Sequence, residues 1–347
     1  MIPTVQLAPD YAVPRLIKGG WQLAGGHGVV DRQRALNDMT AYAAAGITAF
    51  DCADIYTGVE ELIGDFLRQW RAAHGPNAPR IRVHTKCVPD RERLATLRAS
   101  DIDALIDRSL TRLRVDTLDL VQLHWWDFTQ PGVEDAALRL RALQQAGKVR
   151  HIGVTNFDTP TLRAVLDAGV PVVSHQLQLS FLDQRALGAM AALCAERNIG
   201  VLAYGALAGG FFHEQWLGVP EPVPPLENRS LTKYKLIIDE FGGWDAFQAL
   251  LRVLRDVAHV HATTIGAVAL RCVLDASIVS AVIVGARSDT HLPATLAALQ
   301  IALTDDERRS IHAHVAGRSG PAGDVYALER VAGGRHAAIM RTNLNAV

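Results

Sequence analysis

Four side chains in the first half of the chain, Asp51, Tyr56, Lys86 and His124, have the types needed to act together on a carbonyl group. A tyrosine hydroxyl ionises near pH 10, too weak an acid to protonate a developing alkoxide well at neutral pH. An adjacent ammonium stabilises the phenolate, so Lys86 is expected to lower the Tyr56 pKa. Asp51 is expected to pair with Lys86 and hold it charged and oriented. His124 is expected to donate a hydrogen bond to a carbonyl oxygen and polarise it. No Ser-His-Asp arrangement and no metal-ligand spacing accompanies them. The set suits proton transfer to a carbonyl that a hydride-donating cofactor reduces. Taken singly, Lys86 suits a solvated strand-end lysine, His124 a satisfied core histidine and Asp51 a turn former. Only their convergence makes a catalytic set.

Convergence requires strand ends. Residues 46–50 form an apolar run that reads as a short buried strand, delivering Asp51 at its end and Tyr56 on the next loop. Gly58 then leads into a helix with Leu62, Phe66, Leu67 and Trp70 on one face. Residues 81–86 and 118–124 read as strands ending at Lys86 and His124. An earlier strand, 14–21, runs into the glycine-rich loop Gly25-Gly26-His27-Gly28, after which Asp31 can cap a helix closed by Gly46. Ser100 is placed to cap a helix bearing Ile102, Leu105, Ile106, Leu110 and Leu113. Further strands are expected at 149–154, 170–175, 199–204 and 278–284. Helices are expected after Pro160, over 183–198, between 244 and 274, and over 290–299 and 305–315. A Pro-rich excursion, 218–228, breaks the rhythm.

Eight strands alternating with helices predict parallel pairing with right-handed crossovers. The count favours one α/β domain, a single (β/α)8 barrel over about 14–301, followed by a C-terminal helix and tail over 302–347. In such a barrel catalytic groups gather at the C-terminal strand ends. A doubly wound sheet that bound a dinucleotide would place G-x-G-x-x-G straight after its first strand; Gly25 to Gly28 lacks that spacing.

Composition narrows the function classes. The 347 residues are 49% hydrophobic, enough for a large core, and carry a net charge of −1 with no long run of either sign. This argues against a nucleic-acid groove or a membrane-surface patch. No apolar stretch nears the roughly 20 residues of a membrane span, and residues 1–6 do not read as a leader. Cys52, Cys87, Cys194 and Cys272 are scattered, which predicts reduced structural thiols and a cytoplasmic location.

The four residues and their contexts resemble the aldo-keto reductase superfamily over about residues 15–299. The matching segments are residues 50–56, Thr85-Lys86, 120–124, 152–157, 203–210 and 283–288, all in the superfamily's order. The resemblance implies a barrel that binds NADP(H) in an extended pose without a Rossmann motif. It implies Tyr56 as general acid, Lys86 and Asp51 as its tuning pair, and His124 as the substrate-orienting group. Asn156 and Gln176 match positions that hydrogen-bond the nicotinamide carboxamide, and Tyr204 matches the ring stacked on its opposite face. Leu207 and Gly209 match the loop over the pyrophosphate, where small residues permit close approach. Gly20, Trp21, Asp51, Thr155, Gly205, Ala206, Gly210, Gly285 and Ala286 fall in the same cofactor-binding segments. Arg287 and Ser288 match the stretch beside the 2′-phosphate, which favours NADP(H) while leaving NAD(H) open. Where many members carry a Glu-Asn pair to hold adenine, this chain has Ala294 and Thr295. Its residue in place of a frequent basic neighbour is His291.

Trp21, Trp125 and Trp126 follow strand ends and, with Tyr56, His124 and Tyr326, are expected to line the substrate side. Aromatic walls suit apolar or cyclic carbonyl compounds or sugar rings. The segments 211–243 and 317–347 are expected to be lids, with Arg335 near substrate. The alternative to a reductase is a redox-sensing or regulatory barrel subunit that binds NADP(H) without metabolic turnover. Such a subunit would be marked by a partner-binding extension, for which the N-terminal stretch is too short. Substrate, direction and oligomeric state are not legible in the residues.

Overall fold

A computed structural model describes residues 2–345 apart from Gly26, Pro76 and Ser319, so Gly26 of the glycine-rich loop lies outside the described residues. Before the barrel, β1 (Thr4–Ala8) and β2 (Tyr11–Pro14) pair as an antiparallel hairpin that the periodicity did not reveal, because both strands are short and flank Pro9. Leu7, Tyr11 and Val13 pack with Ile17, Ala49, Leu120, Leu202 and Ile283, so the hairpin seals one end of the barrel.

The barrel strands are β3 (Leu16–Gly19), β4 (Ala49–Asp51), β5 (Arg82–Cys87), β6 (Leu118–His124), β7 (Val149–Thr155), β8 (Val172–Gln178), β9 (Gly200–Tyr204) and β10 (Val279–Gly285). All neighbours pair parallel, and β10 closes onto β3. Register brings strand ends level: Asp51 opposes Gly19 and His84, Lys86 opposes Gln122, His124 opposes Thr155, and Thr155 opposes Gln176. The expected eight-strand α/β barrel is therefore the fold.

Twelve α-helices complete the described residues. They are α1 (Arg32–Ala44), α2 (Val59–His74), α3 (Ala99–Leu113), α4 (Val133–Gln145), α5 (Thr159–Asp167), α6 (Ala189–Glu196), α7 (Arg229–Phe241), α8 (Gly243–Val260), α9 (Ile265–Asp275), α10 (Leu292–Ala297), α11 (Asp305–Val315) and α12 (Arg335–Ala338). Asp31 caps α1 by accepting from Arg34 N at 2.8 Å, and Gly46 ends that turn at φ +94°. On α2 the expected face is buried, Leu62, Phe66, Leu67 and Trp70 together. Burying one such large apolar side chain contributes about 1.5–3 kcal/mol. Three local expectations change. Helix α3 starts before Ser100, with Asp101 accepting from Arg98 N at 2.8 Å. Helix α6 is shorter than 183–198, because Asp183 turns back to bind Arg185 through both backbone and guanidinium. The segment 211–243 is not an irregular lid: α7 occupies its second half, capped by Asn228 accepting from Leu231 N. Its Pro-rich approach masked a buried face of Leu231, Tyr234, Ile237, Ile238 and Phe241.

The tail beyond α11 crosses the barrel mouth. Asp90 accepts from the backbone N–H groups of Leu344 and Asn345 at 2.8 and 2.9 Å and so ties the strap down. Among the described residues no single helix is long and apolar enough to cross a membrane.

Candidate active site

At the bottom of the mouth lies a polar knot wholly within the barrel. Lys86 Nζ donates to Asp51 Oδ1 at 2.6 Å and to the Cys52 carbonyl at 2.8 Å. Asp51 Oδ2 accepts from Gln122 Nε2 at 3.0 Å and Gln176 Nε2 at 2.6 Å, and Gln176 also donates to Gln122 Oε1 at 2.9 Å. Four strands thus supply one network, and each buried polar atom in it has a partner. Burial works against the Lys86 ammonium, yet the Asp51 carboxylate and neighbouring Tyr56 outweigh it and raise its pKa.

Tyr56 sits above this knot, its ring 5.1 Å from Lys86 Nζ and 5.1 Å from the Trp21 ring. The expected lowering of its pKa is not the net result. Burial raises it above 10, and the Lys86 ammonium only offsets part of that cost. Lys86 therefore limits the price of forming a phenolate without bringing it to neutral pH.

His124 also departs from expectation. Its Nδ1 lies 3.2 Å from the Thr155 carbonyl, which can only accept, so Nδ1 carries the proton. Burial, assisted by the Arg330 guanidinium, lowers its pKa to about 3, so the ring is neutral. A neutral imidazole protonated at Nδ1 presents Nε2 as an acceptor. This arrangement leaves Nε2 without a proton to donate to a carbonyl oxygen and open to a donor.

A cavity of about 870 Å³ opens over these groups. Among the residues expected at the cofactor, Trp21, Asp51, Thr155, Asn156, Gln176, Tyr204, Gly205, Ala206, Leu207, Gly209, Gly210, Gly285, Ala286, Arg287, Ser288 and His291 all line it. Gly20 does not. Its N–H donates to Asp51 O at 2.7 Å, and a Cβ there would sit 2.8 Å from that oxygen, so its small size serves packing. Asn156 holds a left-handed φ of +59° and accepts from Tyr204 Oη at 2.8 Å, while Gln176 is spent on Asp51.

Of the residues expected at substrate, Trp21, Tyr56, His124, Trp126 and Tyr326 line the cavity. Trp125 is a correction: it is fully buried and donates to Gln130 O at 3.3 Å, because its neighbours His124 and Trp126 take the inward direction. Arg335 is another; it pairs outside with Asp239 and Glu240. The sequence pattern missed Gln22, His27, Lys233, Tyr234 and the tail residues Met340 and Arg341, which line the cavity from loops, α7 and the strap. The Asn228 cap followed by an amphipathic run was the one available signal for α7. Also missed was Lys18, a buried ammonium donating to Gly19 O at 2.8 Å and Ala286 O at 2.6 Å. Burial lowers its pKa to about 8, and it anchors the segment 285–288.

A closed parallel barrel thus carries a tyrosine, a lysine–aspartate pair and a histidine at its mouth. Residues 15–316 match the model of the aldo/keto reductase family, and the chain belongs to that family. It is 30% identical over 263 residues to flagellar radial spoke protein 5 of Chlamydomonas reinhardtii, covering 65% of this chain and 49% of that protein. It is 29% identical over 221 residues to aldo-keto reductase yakc [NADP(+)] of Schizosaccharomyces pombe, covering 60% of this chain and 62% of the relative. The chain thus spans about half to three fifths of these relatives. In fold it is similar to the glycerol dehydrogenase of Gluconobacter oxydans, with TM-score 0.74 and 25% identity, covering 93% of this chain and 97% of that one.

The cavity fits an extended dinucleotide phosphate. A Cβ on Gly209 would lie 2.5 Å from the Tyr234 ring, and one on Gly285 would lie 2.2 Å from the Gln22 amide, so the small size of both glycines lets those side chains pack against the cavity wall. Arg287 lies over Gly28, exposed, with no carboxylate in ion-pair range among the described residues, and so has charge to offer an anion.

Proposed function

We propose that this member of the family is an NADP(H)-dependent oxidoreductase that interconverts an aldehyde or ketone with the corresponding alcohol. The observation that carries the reading is the buried Lys86–Asp51 pair beneath Tyr56, at the mouth of a glycine-walled cavity. Arg287 and Ser288 would hold the 2′-phosphate, the backbone of 205–210 the pyrophosphate, and Asn156 the carboxamide. When bound, the dinucleotide supplies a hydride to the carbonyl carbon.

The protein's own work is proton transfer and orientation. Tyr56 holds its proton across neutral pH and gives it to the carbonyl oxygen as the alkoxide develops. Lys86, kept charged by Asp51, stabilises the phenolate that remains. Aromatic walls from Trp21, Trp126 and Tyr326 exclude water from the reacting carbon. The cofactor in the yeast relative's name supports NADP(H) over NAD(H). The four unpaired cysteines suit a reducing compartment such as the cytoplasm.

The test follows NADPH absorbance across aromatic aldehydes, hydroxyaldehydes and cyclic ketones, first with the native chain and then with Tyr56→Phe. The variant should lose about 10²–10⁴-fold in turnover while NADPH fluorescence titration still shows binding. Full turnover in Tyr56→Phe removes Tyr56 from the mechanism. The second reading, a regulatory barrel, draws on the radial spoke protein's name. It predicts NADPH binding without turnover of any carbonyl.

A further inference from the structure

Lys18 of β3 carries an ammonium into the barrel wall, where it is only 3% exposed. Nζ donates to Gly19 O at 2.8 Å and to Ala286 O at 2.6 Å, and the Tyr42 ring centre lies 5.4 Å away. No carboxylate among the described residues comes within ion-pair range of it. Phe50 of β4 and Val284 of β10 stand beside it in register and bring no charge. From α1 come Tyr42 and Asp38, and from the turn after β10 come Arg287 and Asp289. Asp38 opposes the charge only in part: Oδ1 accepts from Asp289 N at 3.3 Å, Oδ2 has no partner among the described residues, and Arg34 also draws on the carboxylate. Carbonyls and a ring solvate an ammonium without neutralising it, and burial keeps its field strong.

That field acts on the cavity from behind. Lys18 does not line the cavity, whereas Gly19, Ala286, Arg287 and Ser288 do. The Ala286 carbonyl and the Arg287 N–H belong to one trans peptide, so they point in opposite directions. Lys18 takes the carbonyl end. The N–H end is turned away from it, and neither that group nor the Ser288 N–H has an acceptor among the described residues. An ammonium on the carbonyl oxygen polarises the peptide and strengthens the donor at its far end. An anion resting on this turn would meet two backbone donors, the Arg287 guanidinium and a buried positive charge behind them. A doubly charged phosphate gains from all of these, whereas a ribose hydroxyl gains little.

We propose that Lys18 is a positioning residue for the cofactor's 2′-phosphate: it fixes and polarises the 286–288 turn from behind the cavity wall, and its charge makes affinity for NADPH, but not for NADH, depend on a residue that the cofactor never touches. The proposal rests on the reading of Arg287 and Ser288 as the phosphate-holding stretch.

Protonation supplies a readout that a purely structural lysine would not move. Burial lowers the Lys18 pKa to about 8, with Asp38 opposing the shift, so the ammonium is charged below that pH and neutral above it. A phosphate monoester loses its second proton at about pH 6 and stays a dianion throughout the alkaline range. Guanidinium groups stay charged there, and the Tyr42 hydroxyl is pushed up to about 12. Coupling is reciprocal: a bound phosphate raises the Lys18 pKa, so NADPH binding takes up protons above about pH 8 while NADH binding does not.

The experiment is a fluorescence titration with NADPH and with NADH across the alkaline range, on the native chain, Lys18→Met and Arg287→Ala. From about pH 7 to about pH 9.5 the native NADPH-to-NADH affinity ratio should fall roughly fivefold or more. Lys18→Met should start from a lowered ratio that no longer changes with pH. Arg287→Ala should also start lower but keep the native slope. Calorimetry in buffers of different ionisation enthalpy should show proton uptake on binding NADPH alone. A native ratio that stays constant with pH overturns the proposal and leaves the phosphate-holding stretch intact. So does a Lys18→Met protein that keeps the native slope. An Arg287→Ala ratio equal to the native one instead overturns the placement of the phosphate, and the proposal with it. The native profile and the proton uptake need no variant, so they decide the matter even where Lys18→Met folds poorly.

Discussion

Gln176 Nε2 stands 2.6 Å from Asp51 Oδ2, closer than Gln122 Nε2 at 3.0 Å, so the amide that would meet nicotinamide already braces the carboxylate that braces Lys86. In the proposed function, the cofactor face and the proton-delivering face of the site would share this one buried network. A change at Asp51 would then be felt in stability, in proton transfer and at the amide of Gln176.

Asp51→Asn leaves a buried ammonium without its counter-ion. Breaking such a pair costs about 3–5 kcal/mol, read as a shift in urea unfolding. Adding Lys86→Met to Asp51→Asn removes the stranded charge and should return part of that stability. Strictly additive losses in the double variant would show that the two residues are not coupled.

Arg287→Ala should weaken NADPH binding about 10–100-fold, equivalent to about 1.4–2.8 kcal/mol, with NADH affinity changed less than about twofold, within the scatter expected for a surface substitution. Fluorescence titration with both reduced cofactors reads this directly. Equal losses for the two would place Arg287 away from the 2′-phosphate.

Three histidines set an acid limit. Burial lowers the pKa of His84 to about 4 and those of His124 and His175 to about 3. In the unfolded chain each titrates near 6.5, so between about pH 6.5 and 4 the unfolded state binds more protons. Stability is then fully present above about pH 6.5 and falls as the pH drops through that window. The loss at pH 4.5 is on the order of 2 kcal/mol per histidine. Thermal melts should show a marked decrease in Tm from pH 7 to 4.5, and a constant Tm would contradict the buried neutral assignment. For the same reason His124 should add no inflection to the pH profile of carbonyl reduction between about pH 5 and 9.

Gly209 has a φ of +65°, and its missing side chain makes room for the Tyr234 ring and Ser230 O. Gly147 has a φ of +82° with nothing within 4 Å of a Cβ. Gly147→Ala should cost only backbone strain, about 1 kcal/mol. Gly209→Ala should cost more, because α7 must also move, and should weaken NADPH binding. Equal melting temperatures for the two variants would mean that the contact of α7 with the 205–210 loop carries little.

The strand-and-helix rhythm was legible because each barrel strand is an apolar run and each outer helix has a one-sided apolar face. The helix of 229–241 was not, since a Pro-rich approach hid its cap. The hairpin of 4–14 escaped because two short strands around Pro9 carry too little periodicity. Trp125 was misplaced because side-chain direction at a strand end depends on where the strand stops. Lys233, Tyr234 and the strap residues carry no motif; only the packing of α7 and the tail brings them to the mouth.

By itself the sequence determined the barrel, the order of its strand ends and the convergence of Asp51, Tyr56, Lys86 and His124, because local periodicity and parallel pairing leave little choice in where those ends meet. Tertiary structure decided the protonation chemistry. Burial outweighs Lys86 at Tyr56, the Thr155 carbonyl dictates which nitrogen of His124 holds the proton, and the fold brings an ammonium from α7 to the cavity wall. Each of these depends on desolvation and on partners distant in the chain, which residue types and spacing do not encode.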